Sequence, residues 1–348
     1  MKHVKILSDS RNKEMEITTS KINKPVRWAA ALVATGAVCV IPVAHAEIEL
    51  GNGFSVGGFL DMSYYNFSPD VGSSTKSVGI DQFEMDFKFA GSKGVSGQVD
   101  IEYGDGFDGS DDETFVEQAF VTKAFTEQFS VKLGRFLSYS GWEAEEPTGL
   151  MQYSGTGYAK YFYGYYQNGV SAQYAGSKFA VMGSAVTSAF NPLDRNSIDG
   201  VDDKMGYEVG LALMPVEGLT AKAFYITDDD SDTDIINVWA SYAVAGFTLA
   251  AEYNIVDYGS QAFNANGDGD GFLLMANYAT GPFGITFRYH DFEIENAAGA
   301  TYDDGSAFTL SPSYKVGDNL LLVAEYRTDK SDTFGDSDSY ALEALFTF

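Results

Sequence analysis

Alternation of apolar and polar residues dominates the sequence after the first 46 residues. Residues 83–89 read FEMDFKF, with an apolar side chain at every second position and a charged one between. Residues 95–103 and 247–255 repeat this period of two, which places apolar side chains on one face of a strand and polar ones on the other. No stretch of comparable length has a convincing helical stripe. The pattern therefore predicts an all-β fold for residues 47–348.

The alternating segments number sixteen. We expect strands near 54–66, 78–90, 95–103, 113–124, 129–136, 169–175, 179–189, 205–214, 219–227, 235–244, 247–257, 271–279, 285–294, 306–315, 320–328 and 338–348. Proline falls mostly in the connections, where a missing N–H costs little, but Pro312 lies inside a predicted strand and indicates a local break or bulge there.

Short and long connections alternate along the chain. Turns of a few residues, such as 91–94 and 245–246, separate longer polar connections at 67–77, 104–112, 137–168, 190–204, 228–234, 258–270, 295–305 and 329–337. A soluble sandwich has no reason to gather its long loops at one end, whereas an outer-membrane barrel has short periplasmic turns, long extracellular loops and an even number of strands. We therefore predict a transmembrane, antiparallel, up-and-down β-barrel of about sixteen strands.

The first 46 residues have the features of a secretory signal peptide. Three basic residues precede an uncharged run over 28–43, and Ala44-His45-Ala46 supplies small residues where a signal peptidase cleaves. The lead before Met15 is long, which makes Met15 an alternative start of translation. We expect residues 1–46 to be removed and 47–348 to form the barrel, in the outer membrane of a Gram-negative bacterium.

Charge and cysteine content narrow the function. The chain has 22 Lys+Arg against 49 Asp+Glu, and without residues 1–46 these become 22−7=15 and 49−3=46, a net charge of 15−46=−31. Nucleic-acid binding, which needs clustered basic residues, is therefore not expected. Residues 47–348 hold no cysteine and one histidine, His290, which excludes disulfides and sites built from cysteine or histidine clusters.

The last predicted strand resembles that of Gram-negative outer-membrane barrels. Those strands typically end in Phe, with apolar or aromatic residues at alternate positions, and Tyr340, Leu342, Phe346 and Phe348 match that pattern. The resemblance implies that Tyr340, Phe346 and Phe348 form the signal read by the barrel-assembly machinery.

With sixteen strands, the whole of 47–348 also resembles the general-diffusion porins. In that family the protein is usually a trimer, and the third extracellular loop folds inward and narrows the pore. Here the third long connection, 137–168, is the longest, and it carries Glu143, Glu145 and Glu146. It lacks the PEFGG-type motif of enterobacterial porins, so only the role of a constriction loop is implied, with the homotrimer as the expected assembly.

Strand parity predicts which charges face the lumen. The acidic set is Asp61, Glu84, Asp86, Asp100, Glu102, Glu208, Glu252, Glu325 and Glu343, and the basic set is Lys88, Lys132, Lys222, Arg288, Lys315 and Arg327. Because carboxylates that line a narrow aqueous pore attract cations, we expect a preference for cations among small hydrophilic solutes. Lys88, Lys132 and Arg135 could form a basic wall opposite Glu143, Glu145 and Glu146, or these charges could simply be solvated.

Three alternatives stay open at this stage. A barrel with a plugged lumen would serve as an adhesin or scaffold, and a barrel enzyme of the phospholipase or protease type would need a base, for which His290 beside Asp291 is poorly placed because neighbours on a strand point to opposite faces. Acidic loops at 228–234 and 264–270 invite a calcium site but are better explained as solvated loops near lipopolysaccharide. We therefore expect no catalysis, no cofactor and no specific metal site, with outer-membrane lipid and lipopolysaccharide as the surroundings.

Overall fold

The predicted barrel is confirmed by a computed structural model, which describes residues 47–104, 113–143, 146–190, 204–259 and 267–348. Sixteen antiparallel strands pair in sequence order, and the last pairs with the first of them to close the sheet. The predicted signal peptide, including Met15, lies outside the described residues. Among the residues that are described, no helix is long and apolar enough to cross a membrane.

One short strand precedes the sixteen. The strands are β1 Ile48–Gly51, β2 Phe54–Pro69, β3 Thr75–Ala90, β4 Val95–Gly104, β5 Glu113–Ala124, β6 Phe129–Leu137, β7 Tyr166–Ala175, β8 Phe179–Val186, β9 Gly206–Leu213, β10 Leu219–Asp228, β11 Thr233–Val244, β12 Phe247–Tyr258, β13 Asp268–Thr280, β14 Phe283–Glu295, β15 Thr301–Val316, β16 Leu320–Lys330 and β17 Ser337–Thr347. Two short helices, the 3-10 turn Pro147–Gly149 and α1 Ala159–Phe162, lie between β6 and β7.

The two faces of the barrel wall have opposite chemistry. Along β9 the apolar Tyr207, Val209 and Leu211 point outward and are exposed, while Glu208 between them is fully buried. A carboxylate can be buried in a one-layer wall only on the inside, so the polar set of each strand lines the lumen and the apolar set is left for lipid. The alternation in the sequence therefore encodes this division.

Aromatic pairs circle the outer face near the short turns. Phe54 and Phe89 lie 4.7 Å apart between ring centroids, and Phe247 and Tyr278 lie 4.5 Å apart. Further pairs in the same position on other hairpins are Tyr174 with Phe179 and Phe283 with Tyr314. Such rows are typical of the girdles that outer-membrane barrels place at the membrane interface.

The barrel closes where the two ends of the chain meet. Phe348 exchanges two backbone hydrogen bonds with Gly58, one from each amide, at 2.9 and 3.0 Å. Beyond that point β1 takes over the pairing with β2, beginning with Ile48 opposite Val56. β1, which the sequence did not predict, therefore continues the ladder of β17 along β2.

Several strands run further than their alternation indicated. β3 begins at Thr75 rather than 78 and β15 at Thr301 rather than 306, so the connections expected at 67–77 and 295–305 are short turns on tall hairpins. These extensions carry polar residues on both faces, which removes the period-two signal while backbone pairing continues. Pro312 stays inside β15: its register with Ile285 on β14 is regular, and the ladder toward β16 lapses between Leu310 and Ser313.

Candidate functional site

The connection between β6 and β7 lies inside the barrel. We call residues 138–165 the lumen loop; Ala144 and Glu145 within it are outside the described residues. The backbone N–H of Gly141 donates to Asn237 on β11 at 3.1 Å, and that of Tyr153 donates to Glu325 on β16 at 3.0 Å. Because these strands lie across the barrel from β6, the loop spans the lumen and occupies part of its cross-section.

Arg288 on β14 is the main electrostatic anchor of the lumen loop. Its Nη1 donates to both carboxylate oxygens of Glu143, at 2.8 and 2.9 Å, and also to the carbonyl oxygen of Ser154 at 2.6 Å. Its Nη2 donates to Ser154 Oγ at 2.9 Å and to the carbonyl oxygen of Gly155 at 3.2 Å. The Arg288 side chain is 0% exposed, so the guanidinium depends on these loop groups in place of water.

Glu252 on β12 is a second anchor and accepts hydrogen bonds from both halves of the loop. Trp142 N–H donates to Oε1 at 2.7 Å, Tyr158 Oη donates to Oε2 at 2.7 Å, and Tyr163 Oη donates to the same oxygen. Burial, followed by the negative charge of Glu252, raises the pKa of the Tyr158 and Tyr163 phenols well above the usual range. Both hydroxyls therefore stay protonated and act as donors.

Aromatic packing fills the side of the lumen between the loop and β11–β14. Trp142 meets Trp239 on β11 edge-on, with 5.3 Å between ring centroids, and Tyr158 meets Phe162 in the same way at 5.5 Å. The tyrosine-rich stretch of the loop is consequently part of a buried apolar cluster rather than an open surface. The cluster therefore packs this side of the lumen with buried side chains.

The opposite side of the lumen is an acidic arc on five neighbouring strands. We define the acidic arc as the buried, lumen-facing carboxylates of β17 and β2–β5. It comprises Glu343, Asp61, Glu84, Asp86, Asp100, Glu102 and Glu117, all of them buried. On the lumen face of the described part of these strands, Lys88 is the one basic side chain, and it pairs with Glu47 at 2.8 Å and Asp86 at 3.6 Å. A dense negative potential therefore faces this side of the lumen.

Lys132 and Arg135, the other two residues of the predicted basic wall, both lie on β6. Lys132 on β6 lies over the rings of Phe120 and Phe136, at 4.3 and 5.3 Å from the centroids. Arg135 donates from Nε to the carbonyl oxygen of Glu117 at 2.9 Å, and its guanidinium lies 5.5 Å from the Tyr166 ring. The ion-pair partner of Glu143 is Arg288, a residue for which parity predicted the face but not the role.

Glu146, by contrast, reaches the acidic arc. Gln82 on β3 donates to Glu146 Oε2 at 3.1 Å, and Tyr166 Oη donates to Oε1 at 2.8 Å. Close by, Glu117 belongs to the arc but was absent from the predicted lumen set. It is the extra residue of a β-bulge, where Asp100 pairs with Gln118 and Ile101 with Val116, so simple parity does not apply to it.

His290, the one histidine of residues 47–348, does not form a dyad with its neighbour Asp291. His290 points into the lumen, is almost fully buried, and stacks edge-on against Tyr158 at 5.4 Å between centroids. Asp291 points the other way and accepts a hydrogen bond from Tyr289 on the outer face at 3.3 Å. Neighbours on opposite faces cannot exchange a proton directly.

Comparison with known proteins gives one family and one fold. The model of a family described as Gram-negative porin matches residues 29–333. OmpF of Salmonella typhi, solved in complex with daunomycin, is 16% identical, with a TM-score of 0.65 over 87% of this chain and 100% of that one. OmpT of Vibrio cholerae, folded in vitro and described in a trimer form, is 14% identical, with a TM-score of 0.59 over 85% of this chain and 100% of that one.

A third solved structure shows that a protein with this fold can be anion-selective. The anion-selective porin from Comamonas acidovorans is 12% identical, with a TM-score of 0.64 over 85% of this chain and 99% of that one. No curated protein matches the sequence. At such identities the likeness establishes the fold alone, and an anion-selective protein among the matches means that ion preference must be argued from the side chains of the lumen.

Proposed function

The chain belongs to the Gram-negative porin family and is an outer-membrane channel protein, and from this premise we propose that it conducts small hydrophilic solutes and ions passively with a preference for cations. The observation that carries the proposal is the acidic arc. Seven buried, lumen-facing carboxylates on five adjacent strands are accompanied there by Lys88. Fixed negative charge around a narrow aqueous path raises the local concentration of cations and lowers that of anions.

In this proposal the lumen loop sets the size limit. Its contacts with Arg288 and Glu252 hold it against β11–β16, which leaves the path for solutes beside the acidic arc. Glu143 and Glu146 then have different tasks: the first anchors the loop and the second adds negative charge to the arc. Glu145 stays a predicted contributor, since it lies outside the described residues.

We propose a non-enzymatic role and a trimer for the assembled protein. The separation of His290 from Asp291 supports the absence of hydrolysis. The trimer form described for OmpT of Vibrio cholerae supports the oligomer. Outer-membrane lipid, lipopolysaccharide and the barrel-assembly machinery are the proposed partners.

Liposome swelling with sugars of graded size tests the channel against its rivals. We expect vesicles that contain the purified protein to swell in small sugars and to stop swelling above a size limit. Absence of swelling with every sugar would favour the closed adhesin or scaffold. Release of fatty acid or peptide fragments by the same preparation, with loss of that release in His290→Ala, would favour the enzyme.

The last strand gives a separate prediction about assembly. Deleting Phe348 removes two backbone hydrogen bonds with Gly58, which contribute about 1 kcal/mol each, so the urea midpoint of protein refolded in detergent should fall slightly. If Tyr340, Phe346 and Phe348 also form an assembly signal, the amount of barrel in cell membranes should fall far more. Phe308→Ala, which removes an exposed aromatic ring in mid-barrel, is the control. Equal membrane levels for the deletion and the native chain would contradict the signal.

A further inference from the structure

Three carboxylates from three different elements converge at the junction of the lumen loop and the acidic arc. Glu84 on β3, Glu117 on β5 and Glu146 on the loop each bring one oxygen to a common point, all within 4.8 Å of one another. Their sequence separation shows that the junction is a product of loop docking and of the bulge at Glu117. From this geometry we propose that Glu84, Glu117 and Glu146 bind a divalent cation, with Ca²⁺ as the best fit.

Two buried carboxylate oxygen atoms without a hydrogen-bond partner among the described residues support cation binding at this point. Glu84 Oε2 and Glu117 Oε2 have no hydrogen-bond partner among the described residues, and the two residues are 5% and 3% exposed. Buried carboxylate oxygens are normally satisfied by donors or by a metal ion, because removing their charge from water is costly. Two such atoms in one cluster favour the binding of a cation there.

Among the described residues, the basic side chains near the junction carry less positive charge than its three carboxylates carry negative charge. Lys88 forms its ion pairs with Glu47 and Asp86. Arg135 contributes one positive charge near Glu117, whose carbonyl oxygen accepts its Nε at 2.9 Å. Three carboxylates beside one guanidinium leave an excess of negative charge that a divalent ion can neutralise.

Ligand chemistry and spacing favour calcium. All three ligands are carboxylate oxygens, the donors that hard cations take. Calcium accepts oxygens at about 2.3–2.6 Å in flexible geometry, so ligands on opposite sides of the ion lie up to about 5 Å apart, whereas magnesium needs a tighter octahedron and gives up its water reluctantly. A set spread over as much as 4.8 Å matches the larger ion.

Hydrogen bonds from two neighbouring side chains position Glu146, the proposed ligand on the lumen loop. Gln82 donates to Glu146 Oε2 and Tyr166 donates to Oε1, which fixes the carboxylate in orientation. The ion would then tie the lumen loop to β3 and β5, on the side of the lumen away from the Arg288 anchor. Calcium binding at this junction goes beyond the channel function and does not depend on which ions pass the pore.

Calcium titration of the full chain in detergent tests the site. After removal of divalent ions with a chelator and dialysis, we expect calorimetry to show one Ca²⁺ bound per chain. Glu84→Gln, Glu117→Gln and Glu146→Gln should each weaken this binding by about tenfold or more, which is at least the effect of losing a group that orients a metal ligand. Glu343→Gln, an equally buried carboxylate of the acidic arc outside the junction, should bind Ca²⁺ as the native chain does.

The calcium titration needs a check that each variant is folded. Heat-dependent mobility in detergent gels shows which variants are folded barrels, and the native chain tests the site even where a variant fails to fold. Absence of saturable Ca²⁺ binding by the native chain, or native-like binding by all three folded glutamine variants, would overturn the site. Cation preference measured in the same chelated preparation is a separate readout, so a failed calcium site is distinguishable from a failed channel.

Discussion

Neutralising the acidic arc should reduce the cation preference of the channel more than any other change of equal charge. We expect the triple variant Asp61→Asn, Asp86→Asn, Glu102→Gln to lower the ratio of cation to anion permeability at least roughly fivefold, since a unit charge 4 Å from an ion in water contributes about 1 kcal/mol. These residues come from β2, β3 and β4 and avoid the proposed calcium ligands. The measurement is the reversal potential in planar bilayers under a potassium chloride gradient.

A matched control separates local from overall charge. Glu127→Gln, Glu217→Gln, Asp318→Asn also removes three negative charges, but from exposed positions in the short turns. Screening by salt weakens the effect of exposed distant charges, so this variant should keep the native permeability ratio. The same ratio in both triple variants would show that the arc has no special role.

Breaking the Arg288 anchor should both destabilise the protein and widen the pore. Arg288→Met leaves the Glu143 carboxylate, 4% exposed, without its ion-pair partner at 2.8 Å. Removal of one partner of a buried pair costs about 3–5 kcal/mol, so the urea midpoint should fall, and the lumen loop should leave the wall more often. Single-channel conductance and the size limit in sugar swelling should therefore rise together.

A double-mutant cycle attributes the effect to the pair. Glu143→Gln alone should also destabilise, whereas Glu143→Gln combined with Arg288→Met should lose less than the sum of the two single losses. Gln152 and Thr156 also bond to Glu143, so a remainder is expected in the double variant. Additive losses with native conductance throughout would contradict the anchoring role.

The alternation of apolar and polar residues was enough to predict most of the fold. The sixteen strands and the lumen face of Asp61, Glu84, Asp86, Asp100 and Glu102 follow from the period of two, because each strand divides lipid from water by the same rule. Its failures are local as well. β1 is too short to show alternation, and the extended ends of β3 and β15 carry polar residues on both faces.

The candidate site depended on contacts that no local pattern encodes. Arg288 and Glu143 are 145 residues apart, and Glu252 meets Trp142 over 110 residues, so only loop docking brings them together. Strand parity did not place Glu117 on the lumen face because Glu117 is the extra residue of a β-bulge, and the amino-acid composition does not reveal the bulge. The sequence could name the charged residues of the lumen but not the partner that each one takes.

The reversal potential of the native protein tests the central claim most directly. With the purified protein in a planar bilayer between concentrated and dilute potassium chloride, a cation-preferring pore lets potassium cross faster than chloride. We predict stepwise conductance and a potential that makes the dilute side positive. A potential that makes the dilute side negative, or a bilayer that stays non-conducting with folded protein inserted, would contradict the account.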